Sequence, residues 1–206
     1  MEGGLILCTL RHYTEEQSME TVKLVEQFKG TNVLAFDMAG DEAGYPVTAH
    51  VKAFQFANEH GIHCTCHGGE AKGPESVWET LGHFHPTRIG HGVRSAEDQQ
   101  LLDHLVKKDI HLEVCPTSNI QTNIFPAIEE HAADKIYRHG VSMSINTDAR
   151  TVTPVTLSGE YNKLQNTFHW TNEHFLRCNL EGIRHSFTTE AVKQRIAAQI
   201  LEAYNK

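Results

Sequence analysis

A histidine and a glutamate three residues apart form the motif of this chain with the clearest chemical potential, His67-Gly68-Gly69-Glu70. The motif directly follows the run Ile62–Cys66, which is typical of a buried strand. A histidine that ends a strand can offer a ring nitrogen to a metal, and two glycines let the backbone turn so that Glu70 faces the same cavity. The motif alone does not distinguish such a site from a solvated glutamate in an ordinary glycine turn.

Five other apolar, β-branched runs also end in polar residues. The six polar ends, in chain order, are His12, Asp37, His67, His91, Cys115 and Asp148. They are separated by 25, 30, 24, 24 and 33 residues, which is the length of one strand plus one returning helix. The sequence therefore predicts repeated βα units, with strands over 5–12, 33–37, 62–67, 88–91, 111–115 and 142–148.

The segments between these strands carry helical patterns of apolar residues and end signals. The predicted helices are one capped by Thr14 and Gln17 that ends at Gly30, one over 47–60, one that opens at Pro74, one capped by Ser95 and Asp98, one over 128–140 and one over 191–204.

Strands that are buried on both faces and alternate with helices imply a parallel α/β sheet, either a closed barrel or a doubly wound sheet. The polar strand ends favour the barrel, because a (β/α)8 barrel gathers residues from many strand ends into one site. A glycine-rich phosphate loop, which a nucleotide-binding open sheet would carry, is absent from the sequence. Eight units typically need about 250 residues, so residues 1–206 are predicted to form one domain with about six of the eight units.

Composition narrows the classes of partner and location. The net charge is −8 without a basic stripe, which argues against nucleic-acid binding. The chain has five cysteines, an odd number, and neither a signal peptide nor an apolar stretch of membrane length. We therefore expect a cytoplasmic protein without membrane contact. Cys64 and Cys66 are interpreted as core thiols rather than as a thiolate site.

Five motifs, in this order and spacing, resemble the adenosine deaminase family of the amidohydrolase superfamily. They are Met38-Ala39-Gly40-Asp41-Glu42, His67-Gly68-Gly69-Glu70, Arg88-Ile89-Gly90-His91-Gly92, Glu113-Val114-Cys115-Pro116-Thr117-Ser118-Asn119 and Asn146-Thr147-Asp148. The resemblance runs from about residue 5 to the C-terminus.

This resemblance implies a (β/α)8 TIM barrel that binds one Zn²⁺ and hydrolyses adenosine or deoxyadenosine, a small-molecule purine nucleoside, to inosine or deoxyinosine and ammonia. It implies that His67 and Asp148 are zinc ligands. Glu70 would protonate N1 of the purine, His91 would orient or deprotonate the attacking water, and Gly40 would offer a backbone contact to the purine.

Hydrolytic deamination requires the same groups, a metal ion and a proton donor. Water becomes a good nucleophile at neutral pH when a metal lowers its pKa to about 7. Attack on an aromatic carbon also requires the ring to accept electrons, which protonation by a buried carboxylic acid such as Glu70 provides.

Several residues near the predicted metal ligands have more than one possible role. Asp37, Glu113 and Ser118 are expected to support the metal ligands through hydrogen bonds. Alternatively, His91 packs in the barrel against Glu113 or a carbonyl group, and Asp148 caps the segment that follows it. For Asp37, and for Arg11 and His12 beside it at the strand ends, structural roles are favoured.

Two departures from the family pattern affect the functional interpretation. The family's first strand carries a His-x-His pair of zinc ligands, and none precedes residue 12 here. The pair His83 and His85 is interpreted as a loop pair on the opposite side of the barrel. Ala149 stands where many members have a second aspartate that bonds the purine.

These departures leave several hypotheses open. Because two ligands do not complete a catalytic zinc site, we expect this chain to be the C-terminal portion of such an enzyme. Alternatives are a deaminase of adenine or of a modified adenine nucleoside, and a catalytically inactive remnant. An open α/β binding module is a third class, and it would require the phosphate loop that the sequence lacks.

Overall fold

The computed structural model describes residues 3–205. Its strands are β1 (Leu5–Leu10), β2 (Val33–Ala39), β3 (His63–Gly68), β4 (Arg88–His91), β5 (His111–Val114) and β6 (Met143–Ile145). Its α-helices are α1 (Glu15–Gln27), α2 (Val51–Glu59), α3 (Pro74–Phe84), α4 (Gln99–Lys108), α5 (Pro116–Gln121), α6 (Ala133–His139), α7 (Leu157–Phe168), α8 (Asn172–Arg184) and α9 (Glu190–Tyr204). Short 3₁₀ helices cover Thr48–His50, Val93–Glu97 and Ile128–Glu130.

All six strands form one parallel sheet in the order β1-β2-β3-β4-β5-β6. Sequential parallel order with helical crossovers is the pattern of a barrel wall rather than of a doubly wound sheet, whose strand order reverses. The predicted six βα units are therefore confirmed. Within the described residues, β1 and β6 are the edge strands of this sheet.

Alternation along β3 separates the two faces of the sheet. Cys64 and Cys66 are buried in an apolar cluster with residues of α1 and α2, and burial raises the pKa of the Cys64 thiol to about 12. Thr65 and His67 lie on the opposite face, where Thr65 donates to the Glu113 carboxylate at 3.1 Å. The helix-facing side of β3 is therefore apolar and its inner side is polar, with unreactive core thiols as expected.

Helix starts agree with the sequence in part. The Thr14–Gln17 capping box is present, with Gln17 N donating to Thr14 Oγ1 at 3.3 Å and Thr14 N donating to Gln17 Oε1 at 2.9 Å. Asp98 caps α4 through the amides of Gln100 and Leu101. The assignment of Ser95 to that cap is wrong, because Ser95 lies within the preceding 3₁₀ helix.

The single helix expected over 128–140 is divided in two. A 3₁₀ turn ends at Glu130 and α6 begins at Ala133. The amide of Ala133, at the first turn of α6, donates to His131 Nδ1 at 3.1 Å. The imidazole thus satisfies a helix-start amide that has no partner within the helix, and the chain bends there.

Three helices were not predicted, namely α5, α7 and α8. Helices α7 and α8 bury few residues: Glu160 and Leu164 in α7, and Phe175 and Cys178 in α8. Such sparse burial leaves little periodic signal in the sequence, and α5, with 6 residues, is too short to show a helical period. No helix in the described part of the chain is both long and apolar enough to cross a bilayer.

The connection between α8 and α9 crosses the amino-terminal side of the sheet. The Phe187 ring stacks on His63 at a centroid distance of 4.9 Å, and the Arg88 guanidinium lies 4.4 Å from the Phe187 centroid. Both partners are at the amino-terminal ends of their strands. Phe187 therefore covers the inner face of the sheet at the end opposite the strand termini that carry the motifs.

Candidate active site

The carboxyl edge of the sheet gathers side chains from four strands that are far apart in sequence. Asp37 lies near the end of β2, His67 is the penultimate residue of β3, His91 is at the end of β4, and Asp148 is three residues beyond β6. Glu70 follows β3 in the adjoining loop. Parallel strands bring all their carboxyl ends to one edge, which explains how a spacing of 24 to 33 residues yields one cluster.

His67 is oriented by Asp37. Its Nδ1 lies 3.2 Å from Asp37 Oδ2 and 3.3 Å from Oδ1, so Nε2 is the ring nitrogen left for another partner. Burial disfavours the imidazolium, but the Asp37 carboxylate outweighs it and raises the pKa of His67 to about 9. The neighbouring strand makes room for the ring, because a Cβ at Gly90 would lie 2.9 Å from His67 Nδ1.

Glu70 is carried by a sharp turn. Gly69 has φ +65° and a Cβ there would lie 2.3 Å from Val77, so only glycine fits. The Glu70 side chain is about 20 % exposed, and its Oε2 lies 3.7 Å from His91 Nε2. Burial raises the pKa of Glu70, and the nearby Asp148 carboxylate adds to the increase. Glu70 is thus held in conditions that favour the protonated acid.

His91 is buried, with about 3 % of its side chain exposed. Its Nδ1 lies 3.0 Å from Asn119 Nδ2, and its Nε2 lies 3.8 Å from Asp148 Oδ2. Burial, reinforced by the positive charge of His67, lowers its pKa to about 4. Its φ of +61° is in the left-handed region, which is uncommon for residues other than glycine and concentrates at functional sites.

Asp148 also has a left-handed backbone, with φ +56°. Ser118 Oγ donates to its Oδ2 at 2.7 Å, and the Ala149 amide donates to its Oδ1 at 2.7 Å. Burial acts to raise the pKa of Asp148, but these hydrogen bonds and the neighbouring imidazoles produce a net lowering. Asp148 is therefore kept as a carboxylate, and Ser118 is one of its hydrogen-bond donors.

The loop that carries Glu70 is held by Glu42, a residue for which the sequence predicts no individual role. Glu42 Oε2 accepts from the amides of Glu70 at 3.0 Å, Ala71 at 2.5 Å and Lys72 at 3.0 Å, while Oε1 accepts from Gly69 at 2.7 Å. Hydrogen bonds offset burial and lower the pKa of Glu42. The sequence around Glu42 does not indicate this role, because its partners lie 27 to 30 residues further along the chain.

Arg11 completes this support. Its Nη2 donates to the carbonyl oxygen of His67 at 3.0 Å and lies 4.0 Å from Glu42 Oε1, and the residue is 2 % exposed. Arg11 therefore contacts the backbone of His67, the predicted metal ligand, which is consistent with a structural role. His12 is exposed, with its ring against Tyr13 at a centroid distance of 4.9 Å.

The remaining predicted residues lie in three different places. Gly40 follows β2 at the same edge as His67 and has φ +108°. Glu113 lies deeper in the sheet, where it pairs with Arg88 and accepts from Thr65. His83 is in the last turn of α3 rather than in a loop, and His85 caps that helix. Both precede β4 and lie on its amino-terminal side, away from the cluster.

The donor set fits part of a zinc site. His67 Nε2 and the Asp148 carboxylate are donors of the type that Zn²⁺ binds, and each is oriented by a hydrogen-bonding partner, as metal ligands usually are. Catalytic zinc sites normally use at least three protein donors. Among the described residues, ligand atoms of Asp148, His91 and Cys115 lie within 4.8 Å of one another, and His67 is outside that group.

The parallel βα wall has the fold of an amidohydrolase-type barrel, with His, Asp and Glu residues gathered at its carboxyl edge. A family model described as adenosine deaminase matches residues 2–203. The chain belongs to the adenosine deaminase family.

Individual proteins are similar to this chain in sequence or in fold. The adenosine deaminase of Clostridium acetobutylicum is 34 % identical over 200 residues, which are 97 % of this chain and 60 % of that protein. Adenine deaminase from Arthrobacter aurescens has a similar fold, with TM-score 0.92 and 23 % identity over 98 % of this chain and 62 % of that one. An amidohydrolase from Burkhoderia ambifaria with bound Zn gives TM-score 0.89 and 21 % identity over 98 % and 57 %. This chain therefore spans about three fifths of the length of these three proteins.

Proposed function

We propose that this chain provides the acid, two metal ligands and the water-orienting histidine of a zinc-dependent deaminase acting on adenosine or deoxyadenosine. The observation that carries the proposal is the convergence of Glu70, His91 and Asp148 around one point, with His91 Nε2 3.7 Å from Glu70 and 3.8 Å from Asp148. Family membership supports hydrolytic deamination of a purine as the reaction class.

Glu70 supplies the proton for the purine ring. Burial raises its pKa, which favours the protonated form that can donate to ring nitrogen N1. Protonation draws electrons from the adjacent carbon and makes it more open to attack. The loop held by Glu42 fixes the position from which Glu70 donates.

His67 and Asp148 would hold the metal, which when bound lowers the pKa of a coordinated water to about 7. Asp37 fixes the His67 ring so that Nε2 faces the site. Ser118 fixes the Asp148 carboxylate. His91 contacts the same space from β4 and orients the nucleophile. Gly40, at the carboxyl edge beside His67, offers backbone groups to the purine.

Adenine is the second candidate substrate. Ala149 removes a carboxylate from the position next to Asp148, which changes the polar contacts available to the purine. A relative of the same fold is an adenine deaminase. An adenine or modified-nucleoside preference would keep the same roles for Glu70 and His91 and alter the binding contacts alone.

The test is a substrate panel with two proteins. The 206-residue chain, and a fusion in which the uncovered part of the barrel comes from the Clostridium acetobutylicum relative, are incubated with zinc and adenosine, deoxyadenosine or adenine. We expect the fusion to release ammonia and inosine from adenosine. Release from adenine alone would move the assignment to adenine. No turnover by a folded, zinc-loaded fusion would contradict the proposal and favour an inactive remnant.

A further inference from the structure

A chain of hydrogen bonds runs from the backbone of α6 to the inner nitrogen of His91. The Ala133 amide donates to His131 Nδ1 at 3.1 Å. His131 Nε2 lies 3.2 Å from Asn119 Oδ1, and Asn119 Nδ2 lies 3.0 Å from His91 Nδ1. His91, Asn119 and His131 are 3 %, 0 % and 3 % exposed, so solvent does not compete for these bonds.

The direction of each bond follows from the first. A backbone amide can only donate, so His131 Nδ1 must be the accepting nitrogen of a neutral ring, and its proton is on Nε2. His131 Nε2–H then donates to Asn119 Oδ1. The same amide group turns its NH₂ toward His91, whose Nδ1 must accept. In a neutral imidazole the remaining proton is on Nε2.

We propose that Asn119 and His131 are positioning residues that hold neutral His91 with its proton on Nε2, so that His91 donates a hydrogen bond into the site. The assignment of a donor role in catalysis rests on the proposed function, whereas the proton position rests on the hydrogen-bond chain alone. With its proton on Nε2, His91 has no free lone pair toward the site. His91 would therefore orient the attacking water rather than deprotonate it.

The opposite direction of these hydrogen bonds is unfavourable, because the groups are buried. For His91 to accept a proton at Nε2, its own proton would first have to sit on Nδ1 and Asn119 would have to rotate. Rotation would point the Asn119 NH₂ at His131 Nε2–H and leave two buried donors facing each other without an acceptor, which is unfavourable. Burial also lowers the pKa of His131 to about 4, so His131 stays neutral at physiological pH.

The geometry at the other end of His91 agrees with a donor. Its Nε2 faces Glu70 Oε2 at 3.7 Å and Asp148 Oδ2 at 3.8 Å. Asp148 is kept as a carboxylate, and its oxygen near this ring nitrogen favours an N–H there over a lone pair. A nucleophile oxygen between these groups would meet the N–H of His91.

The experiment reads the proton position directly in the metal-free chain. Histidine labelled with ¹⁵N is incorporated, and long-range ¹H–¹⁵N correlations distinguish the protonated ring nitrogen from the unprotonated one for each histidine. The signals of His91 and His131 are assigned by their loss in His91→Gln and His131→Gln. We expect Nε2–H at both residues. An Nδ1–H form at His91, or an even mixture of the two forms, in the wild-type chain would overturn the proposal.

Asn119→Asp is the decisive variant. A carboxylate accepts from both neighbours, so His91 should move its proton to Nδ1 while His131 keeps Nε2–H. Asn179→Asp is the matched control, because Asn179 bonds the hydroxyls of Tyr161 and Tyr204 and none of His91, Asn119 and His131; it should leave His91 unchanged. A folded Asn119→Asp protein with His91 still Nε2–H would contradict this chain of hydrogen bonds. If that variant does not fold, the wild-type spectrum decides. Because neither zinc nor substrate is used, an inactive enzyme would leave this result intact.

Discussion

The His67 imidazole and the Asp37 carboxylate lie 3.2 Å apart across the neighbouring strands β3 and β2. This pair fixes which ring nitrogen faces the site, and it places a positive charge there when no metal is present, since the pKa of His67 is raised to about 9. A cation that replaces the proton would meet a ring already oriented to receive it.

Replacing Asp37 with asparagine should lower the pKa of His67 from about 9 toward its ordinary 6.5. Because the folded value is the higher one, the pair stabilises the fold fully below pH 6.5 and loses that contribution as pH rises through about 9. The pH-dependent loss in Asp37→Asn should be on the order of 1–3 kcal/mol at pH below 6.5 and vanish above pH 9.

Urea unfolding of chelator-treated protein across this range measures the effect. Asp103→Asn is the control, because the His139–Asp103 pair has an Asp103 side chain that is 65 % exposed, and it should show little pH dependence. A pH-independent difference between wild type and Asp37→Asn would refute the charge pairing.

Glu70→Gln should leave zinc bound to the fusion protein but lower kcat by several orders of magnitude, because a proton delivered in the transition state is lost. Zinc content by elemental analysis and initial rates of inosine formation measure the two quantities separately. Glu59→Gln, at an exposed position of α2, should keep wild-type rates. Near-normal turnover by Glu70→Gln would exclude this residue as the acid.

Glu42→Gln should release the loop that carries Glu70. A glutamine would turn an NH₂ toward some of the four amides that Glu42 now accepts from, and the buried mismatch should destabilise the fold by about 2–4 kcal/mol. Hydrogen exchange should accelerate first at residues 69–72. Asp41→Asn, at the exposed neighbouring position, serves as the control. Unchanged exchange at those four amides would show that other contacts hold the loop.

The 206-residue chain by itself should self-associate. Strand β1 is an edge strand, and its Leu5 and Ile6 are 60 % and 36 % exposed; exposed apolar edges pair with other edges. Sedimentation velocity should detect oligomers that decrease in Leu5→Lys/Ile6→Lys. Leu201→Lys, 44 % exposed on α9, tests whether any added charge has the same effect. A monomeric wild-type chain at tens of micromolar would contradict this prediction.

The sequence by itself determined the architecture. Regular spacing of polar strand ends predicted the parallel βα sheet, because strand and helix lengths are local properties and parallel connection brings the carboxyl ends together. The Thr14–Gln17 cap is local too, and it was confirmed. The five ordered motifs indicated the family, which the family match confirms.

Tertiary structure decided which side chains contact each other. Glu42 reaches Gly69 across 27 positions, Asn119 reaches His91 across 28, and Phe187 covers His63 from the far end of the chain. Such contacts leave no periodic pattern in the sequence. From sequence alone, Glu42 and Asn119 are expected at the surface, and only the fold shows that they are buried. The left-handed backbones of His91 and Asp148 likewise follow from the surrounding packing, since neither residue type requires that conformation.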